Sequence, residues 1–428
     1  MKILLLGSGG REHALALRLT SNPKLEVELY AAPGSDAIAE CGACLPFGAE
    51  DGLALTEWAL KNRPDLAVVG PEAPLAHGIA DELTDVGIPV FGHPRATARL
   101  EASKSFAKEF MTRHGVPCAF SRSVADIQEG MAVISAWRHG YPIVLKADGL
   151  AAGKGVSLAQ TETEAMETLK DFLAGRFGDA SRRVVIEEPL FGTELSLHVL
   201  VDVVGDRASY CMLPPCQDHK RLFENDLGPN TGGMGAFGPI PLLRPEDMER
   251  LRIGLVAPTV AGMQKDGLEG RGVIFFGVMW TGEGPKLLEY NVRFGDPETQ
   301  VLMQLLDEDL PELLYSVATH RLKSRELKTL PGTAICVVLA AEGYPDKPQK
   351  GAIINIKSPV CSLIHAGTVK TPDGWKVNGG RVIGLVTRAG DLKEARRLVI
   401  SDLDQNQIRW PGMQARRDIG LKAADQMS

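Results

Sequence analysis

Over residues 1–100, short apolar runs alternate with amphipathic stretches: K-I-L-L-L, R-E-H-A-L-A-L-R-L, V-E-L-Y-A-A, a helical pattern near Leu53 to Leu60, D-L-A-V-V-G, another near Ile79 to Val86, and I-P-V-F-G. Continuous apolar runs separated by helical patterns predict a parallel sheet wrapped by helices. A helix over residues 103–114 follows, and then the texture changes. P-I-V-L-K-A, V-S-L-A and R-V-V-I-E-E read as short strands around a helix at 162–173, a small separate lobe. From residue 192 come the strand E-L-S-L-H-V-L-V-D, a polar glycine-rich stretch over 217–238, a helix over 248–263 and the pair F-F-G-V-M-W and L-L-E-Y-N-V-R, which T-G-E-G-P joins as a hairpin. A further unit starts near residue 330, with T-A-I-C-V-V-L-A-A and the helical D-L-K-E-A-R-R-L-V-I.

In L-L-E-Y-N-V-R, residues 287–293, Glu289, Asn291 and Arg293 occupy alternate positions. Side chains alternate faces along a strand, so these three are expected on one face and Leu288, Tyr290 and Val292 on the other. That pattern fits a half-buried strand whose polar face holds a ligand.

A chain of 428 residues exceeds what one core usually serves, so two to four domains with clefts between them are expected. Hydrophobic residues at 44% and charged residues at 24% fit an ordinary globular protein. The net charge of −7 comes from interspersed acids and bases, and no basic stripe with interleaved aromatics suggests a nucleic-acid partner. Met1 to Leu6 is too short for a signal-peptide core, and no apolar stretch approaches a membrane span, so a cytoplasmic protein without membrane contact is expected. The seven scattered cysteines argue against a disulfide framework, and Cys41–Cys44 lacks the second ligand pair a zinc site would want.

The expected strand ends of the first domain are glycine-rich: G-S-G-G-R-E at 7–12, A-P-G-S at 32–35 and V-G-P-E-A-P at 69–74. Ligands of such sheets bind at those ends. Glu12 stands where the dinucleotide fingerprint needs its third glycine, so that reading fails. The first helix N-terminus, with Arg11 beside it, still suits a phosphate, although tight turns alone would also explain the glycines.

D-G-L-A-A-G-K-G-V at 148–156 is not a Walker loop. Three residues separate Gly149 from Gly153, and Gly155 stands where Ser or Thr would bind magnesium. Glycines flanking Lys154 nonetheless give a turn able to close on a polyphosphate. Lys146, in an otherwise apolar strand, needs an anion to offset its desolvation. Lys104 reads equally as part of a solvated helix face. Glu187 ends a strand and Glu194 follows seven residues on, a spacing suited to a purine amine and ribose hydroxyls or to an exposed pair.

Taken together, Lys104, Lys146, the 149–155 loop, Glu187 with Glu194, and E-Y-N at 289–291 resemble the ATP-grasp superfamily in order and spacing. More narrowly, G-S-G-G-R-E-H-A-L, V-G-P-E-A-P-L, K-A-D-G-L-A-A-G-K-G-V, Q-D-H-K-R, G-P-N-T-G-G-M-G-A, N-V-R-F-G-D-P-E-T-Q and H-A-G-T with N-G-G-R-V are similar to the phosphoribosylamine–glycine ligase family. The resemblance runs from Met1 to about Gly420 and implies a mixed α/β and α+β multidomain chain. It would hold an amino-terminal doubly wound domain (1–102), small (103–190) and large (191–328) ATP-grasp lobes, and a small carboxyl-terminal α/β domain (329–428). The implied reaction joins glycine to 5-phosphoribosylamine through glycyl phosphate, with ATP as phosphoryl donor. Another ATP-grasp carboxylate–amine ligase or a carboxylase is the alternative.

The resemblance also assigns roles. Lys104, Lys146, Gly153, Lys154, Gly155, Glu187, Glu188 and Glu194 would bind ATP. Glu289 and Asn291 would hold magnesium or manganese, hard cations that take oxygen ligands. The preceding strand F-F-G-V-M-W offers no further acid, which leaves the metal count open. Arg293 would steady the glycine carboxylate or its acyl phosphate, with Asp218 and Lys220 beside it. Asn230, Thr231, Gly232, Gly295 and Asp296 would bind the acceptor side. Gly9, Gly10, Arg11 and Glu72 would hold the phosphoribosyl group. A monomer and a homodimer are equally compatible with the sequence.

Overall fold

The computed structural model describes residues 1–150 and 155–426. Its first sheet is parallel, with strand order Ala43–Cys44, Glu28–Pro33, Lys2–Gly7, Leu66–Val69, Val90–Phe91. Along Lys2–Gly7, Ile3 and Leu5 enter one core with Leu15 and Leu19, whereas Leu4 and Leu6 enter another with Leu55 and Leu83. Both faces are therefore covered, as an unbroken apolar strand requires. The strand order reverses between Lys2–Gly7 and Leu66–Val69, so the turns after Gly7 and Val69 flank a switch-point crevice.

Ser121–Val124, Val184–Glu187, Ile143–Ala147 and Val156–Ala159 form an antiparallel sheet. It packs on the helices Ile127–Ser135 and Glu162–Leu173 through Ile143, Leu145, Ile134 and Leu169. A second antiparallel sheet follows the order Arg207–Met212, Thr193–Val204, Gly270–Thr281, Gly284–Asn291. The helix expected over 248–263 is longer and divided, with a wide turn at Arg252–Val256 between Pro245–Leu251 and Ala257–Lys265.

The last large sheet crosses an expected boundary. Gln217–Asp218 and Gly235–Gly238 pair in sequence onto Thr333–Ala340, Arg381–Ala389 and Ser362–His365. The polar stretch assigned from sequence to the large lobe thus hydrogen-bonds into the carboxyl-terminal sheet. The helix Leu392–Asp404 covers that sheet through Leu392, Ala395 and Val399.

Candidate active site

One face of the large-lobe sheet is apolar, and the other bears polar side chains at the end near Glu289. Leu195, Leu197 and Val199 point into the core with Ile274, Phe276 and Val278. On the opposite face, register aligns Ser196, Gly277 and Glu289 in one row and His198, Phe275 and Asn291 in the next. Gly277 leaves room for its neighbour: a Cβ there would stand 3.3 Å from Glu289 Cγ.

The expected partition of 287–293 needs one correction. Gly277 pairs with Glu289 and Val278 with Leu287, so Leu288 is an extra residue, a β-bulge. Leu287 rather than Leu288 therefore joins Tyr290 and Val292 in the core. Glu289 and Asn291 keep their shared face.

Glu289 makes no hydrogen bond or ion pair among the described residues. Burial opposes its charge, but Lys220, Lys146, Lys104 and Arg293 hold its carboxyl below the ordinary value. Asn291 accepts from Arg293 at 3.2 Å on Oδ1, and its buried Nδ2 has no partner. A buried orphan amide beside an unpaired carboxylate is costly unless a ligand supplies the missing partners. No three His, Cys, Asp or Glu side chains group as a metal site among the described residues. The Nδ2 group can donate to a phosphate oxygen, while the Glu289 carboxylate and the remaining lone pair of Asn291 Oδ1 are the oxygens that suit a hard cation completed by phosphate and water.

Small-lobe cations face this carboxylate. Register places Val144 opposite Glu187, and Lys146, two residues on, reaches Glu187 diagonally at 2.9 Å. Lys108, one helical turn after Lys104, lies 3.3 Å from the other Glu187 oxygen. Glu187 is thus flanked by two ammonium groups, one at each oxygen. Burial opposes the Lys146 charge, yet Glu187 and Glu289 raise its pKa; burial lowers that of Lys108. Glu188, just past the strand end, accepts from the Phe120 amide at 3.0 Å and lies 3.3 Å from His139.

Lys104 begins the helix Lys104–Arg113, capped by Ser103, and its Nζ donates to Gly149 O at 2.9 Å. It is no solvated surface lysine: burial lowers its pKa while Glu289 opposes that shift. Asp148 fixes this junction by accepting from the Ser105 amide at 2.6 Å and the Ser105 hydroxyl at 2.9 Å. Gly155 closes the hairpin by accepting from the Ala147 amide. Gly153 and Lys154 lie outside the described residues.

The acceptor candidates gather alongside. Lys220 pairs with Glu194 at 3.0 Å. Burial opposes its charge, while Asp218, Glu194 and Glu289 raise its pKa. Desolvation pushes Asp218 up to about 7; Lys220 works against this, and Glu298, Glu194 and Glu289 add to it. Glu298 accepts from Ser196 at 2.8 Å in the same wall. Thr231 donates to Lys220 O at 2.8 Å, closing its own loop, and Asn230 is exposed. The Gly232 amide donates to the Tyr344 hydroxyl. The Gly295 amide donates to His198 Nε2 at 3.0 Å, so it is not open to a substrate.

Arg293 is more committed than the sequence suggested. It meets Glu72 at 3.2 Å, Glu101 at 3.2 Å, Asn291 at 3.2 Å and Phe294 O at 3.3 Å. Most of its fork is occupied by these partners. Glu72 serves Arg293 with one oxygen; burial opposes its charge, while Arg293 and Arg11 lower its pKa.

At the amino-terminal turn, Glu12 accepts from the Gly9 amide at 2.7 Å and from Arg11 Nε at 2.6 Å. Arg11 also donates to Phe294 O at 2.9 Å. Gly7, at φ +122°, gives Glu12 its space: a Cβ there would lie 2.6 Å from the Glu12 side chain. Glu12, Glu101, Lys108, Asp148 and Arg381 were not anticipated as site residues. Glu12, at the third position of its helix, and Lys108, four residues from Lys104, had a local signal, and Asp148 and Arg381 stood inside the quoted D-G-L-A-A-G-K-G-V and N-G-G-R-V motifs without a role of their own.

No helix among the described residues is long and apolar enough to cross a membrane. Residues 102–299 match the family described as Phosphoribosylglycinamide synthetase, ATP-grasp (A) domain; residues 1–101 match its N domain and residues 334–422 its C domain. The chain is 43% identical over 429 residues to the phosphoribosylamine–glycine ligase of Mesorhizobium japonicum, covering 99% of this chain and 98% of that one. It is 42% identical over 426 residues to that of Agrobacterium fabrum, with 99% of each covered. Among solved structures it is similar to phosphoribosylamine–glycine ligase from Thermotoga maritima, with TM-score 0.83 and 33% identity over 98% of this chain and 100% of that one. The biotin carboxylase domain of the Hydrogenobacter thermophilus 2-oxoglutarate carboxylase shares the fold, with TM-score 0.75 and 18% identity over 97% of this chain and 91% of that one.

Proposed function

The chain belongs to the phosphoribosylglycinamide synthetase family, and from that premise we propose how its residues divide the work. It is a C–N bond-forming ligase of purine biosynthesis that joins glycine to 5-phosphoribosylamine with ATP, giving glycinamide ribonucleotide, ADP and phosphate. The observation that carries the site assignment is the shared face of Glu289, whose carboxylate makes no hydrogen bond or ion pair among the described residues, and Asn291, whose buried Nδ2 has no partner; Lys220, Lys146 and Lys104 hold that carboxyl below its ordinary value against burial.

Lys104 and Lys146 neutralise the polyphosphate, and Lys154 adds to them from the glycine loop. Glu194 orients Lys220 toward the transferring phosphoryl group. Glu289 and Asn291 would hold magnesium or manganese, which supplies charge neutralisation on the phosphates when bound. Transfer of the γ-phosphoryl group to glycine creates a good leaving group on its carboxyl carbon, and the amine of the sugar phosphate displaces it. Asp218, with a pKa near neutrality, is placed to take the proton released by that amine. No protein nucleophile is needed, so rate comes from positioning and charge.

The Asn230–Gly232 loop holds glycine, and Gly9, Gly10 and Arg11 hold the phosphoribosyl group at the switch-point crevice. We divide the chain at residues 102, 190 and 328 and place it in the cytoplasm; all seven cysteines are free. The test is ADP formation as a function of both acceptors. Turnover requires glycine and phosphoribosylamine together, and vigorous turnover with alanine but none with glycine would overturn the substrate assignment.

A further inference from the structure

Arg381 opens the strand Arg381–Ala389 of the carboxyl-terminal segment, but its side chain serves other parts of the chain. Its NH1 donates to Gly232 O at 2.7 Å and to Asp296 O at 2.6 Å, and its NH2 pairs with Asp296 Oδ2 at 3.1 Å. One planar group therefore fastens the 232 loop to the 296 turn. Tyr344, also from the carboxyl-terminal segment, grips the same loop by accepting from the Gly232 amide at 3.0 Å.

The backbone is built for this clamp. A Cβ on Gly232 would stand 3.1 Å from Arg381 Cζ. Gly233, at φ +112°, lies so close to the 296 turn that its Cβ would come 2.6 Å from Pro297 Cδ. Asp296 also accepts from Gln300 at 2.8 Å, and Gln300 backs the amino-terminal turn, where a Cβ on Gly10 would lie 2.9 Å from its Nε2. The chain of contacts thus runs from the Gly232 loop through Arg381, Asp296 and Gln300 to Gly10.

We propose that Arg381, assisted by Tyr344, is a positioning residue that sets the distance between the glycine loop and the sugar-phosphate turn. The carboxyl-terminal domain thereby governs the second half-reaction without touching the ATP lysines or Glu289. The inference rests on reading Asn230–Gly232 and Gly9–Arg11 as the two acceptor sites. A guanidinium satisfies two carbonyls and a carboxylate in one plane, which an ammonium cannot imitate. Misplacement of reacting groups by about 1 Å costs on the order of a hundredfold in rate.

The experiment compares Arg381→Ala, Arg381→Lys and Tyr344→Phe by KM for each substrate and by the ratio of ADP to glycinamide ribonucleotide formed. In Arg381→Ala the KM for both acceptors should rise about tenfold or more and ADP should outrun product, with the KM for ATP within about twofold. Added guanidinium should restore coupling to Arg381→Ala, and Arg381→Lys should recover only part of it. Tyr344→Phe, which removes one hydroxyl, carries the test if Arg381→Ala does not fold; its acceptor KM should rise about threefold. Equal rises for ATP and acceptors, or unchanged acceptor KM with coupling intact, would overturn the proposal. Asn230→Ala separates the two levels of inference. If it raises the acceptor KM while the Arg381 and Tyr344 variants do not, positioning alone has failed; if it too is silent, the loop assignment has failed and takes the proposal with it.

Discussion

Glu101 and Arg293 meet across the junction of the amino-terminal domain and the large lobe, 3.2 Å from Oε1 to NH2, while Glu101 Oε2 accepts from the Val292 amide at 2.7 Å. Burial raises the pKa of Glu101 and Arg293 opposes that rise. The pair locks the strand that bears Glu289 and Asn291 to the helix Arg95–Ala102.

Removing one partner of a buried pair leaves an uncompensated charge. Arg293→Met should lower stability by about 3–5 kcal/mol, and the double variant Arg293→Met with Glu101→Gln should lose less than the single one. Urea denaturation of the four proteins in this cycle measures it. Strictly additive losses would show that the two side chains are not coupled.

Glu289→Gln keeps the shape of the side chain and removes its charge. The magnesium concentration giving half-maximal activity should rise at least about tenfold, equivalent to about 1.4 kcal/mol. A magnesium titration of initial rates checks this, and an unchanged midpoint would remove Glu289 from the cation site.

Lys146 and Lys108 share Glu187 but should respond differently. Lys146→Met should weaken ATP binding about tenfold or more, because it removes a cation that faces Glu289 as well as Glu187. Lys108→Met should act through Glu187 and lower the thermal midpoint more than it weakens nucleotide binding. Calorimetric titration with ATP and thermal melts on both variants decide the order.

Stability should fall on both sides of neutrality for separate reasons. Hydrogen bonds to Asp202 and Glu269 raise His320 to about 9. Its contribution is complete below its ordinary value near 6.5 and is lost as pH rises through about 9. Burial lowers His13, His93, His219 and His365 to about 4, and His198 to about 3. Their contribution is complete above about 6.5 and fades as pH falls toward 4. Thermal melts from pH 5 to 9.5 should trace a dome, and His320→Gln should flatten its alkaline side only.

Local periodicity made much of the fold readable. The apolar runs at Lys2–Gly7 and Leu66–Val69 needed only their own residues to announce buried parallel strands, and the alternation of Glu289 and Asn291 survives in the folded chain. The bulge at Leu288 was hidden because it is a property of two strands, set by what Gly277 and Val278 oppose. Glu101, and the task of Arg381 within the quoted N-G-G-R-V motif, were hidden for a related reason: their partners lie 191 and 85 residues away, at Val292 and Asp296, and no local pattern encodes such a meeting. Glu188 shows the reverse: adjacent to Glu187 in sequence but just past the strand end, it meets Phe120 and His139 instead of the lysines.

The extra residue at Leu288 shifts the hairpin's phase midway. On both sides of it the same interior is served, by Leu287 before and by Tyr290 and Val292 after. Anyone transplanting the Glu289–Asn291 pair into another scaffold would have to carry Leu288 and the facing Gly277–Val278 step as one cassette. A shortened copy would leave Leu287 stranded on the polar face, or drive the two polar side chains into oil.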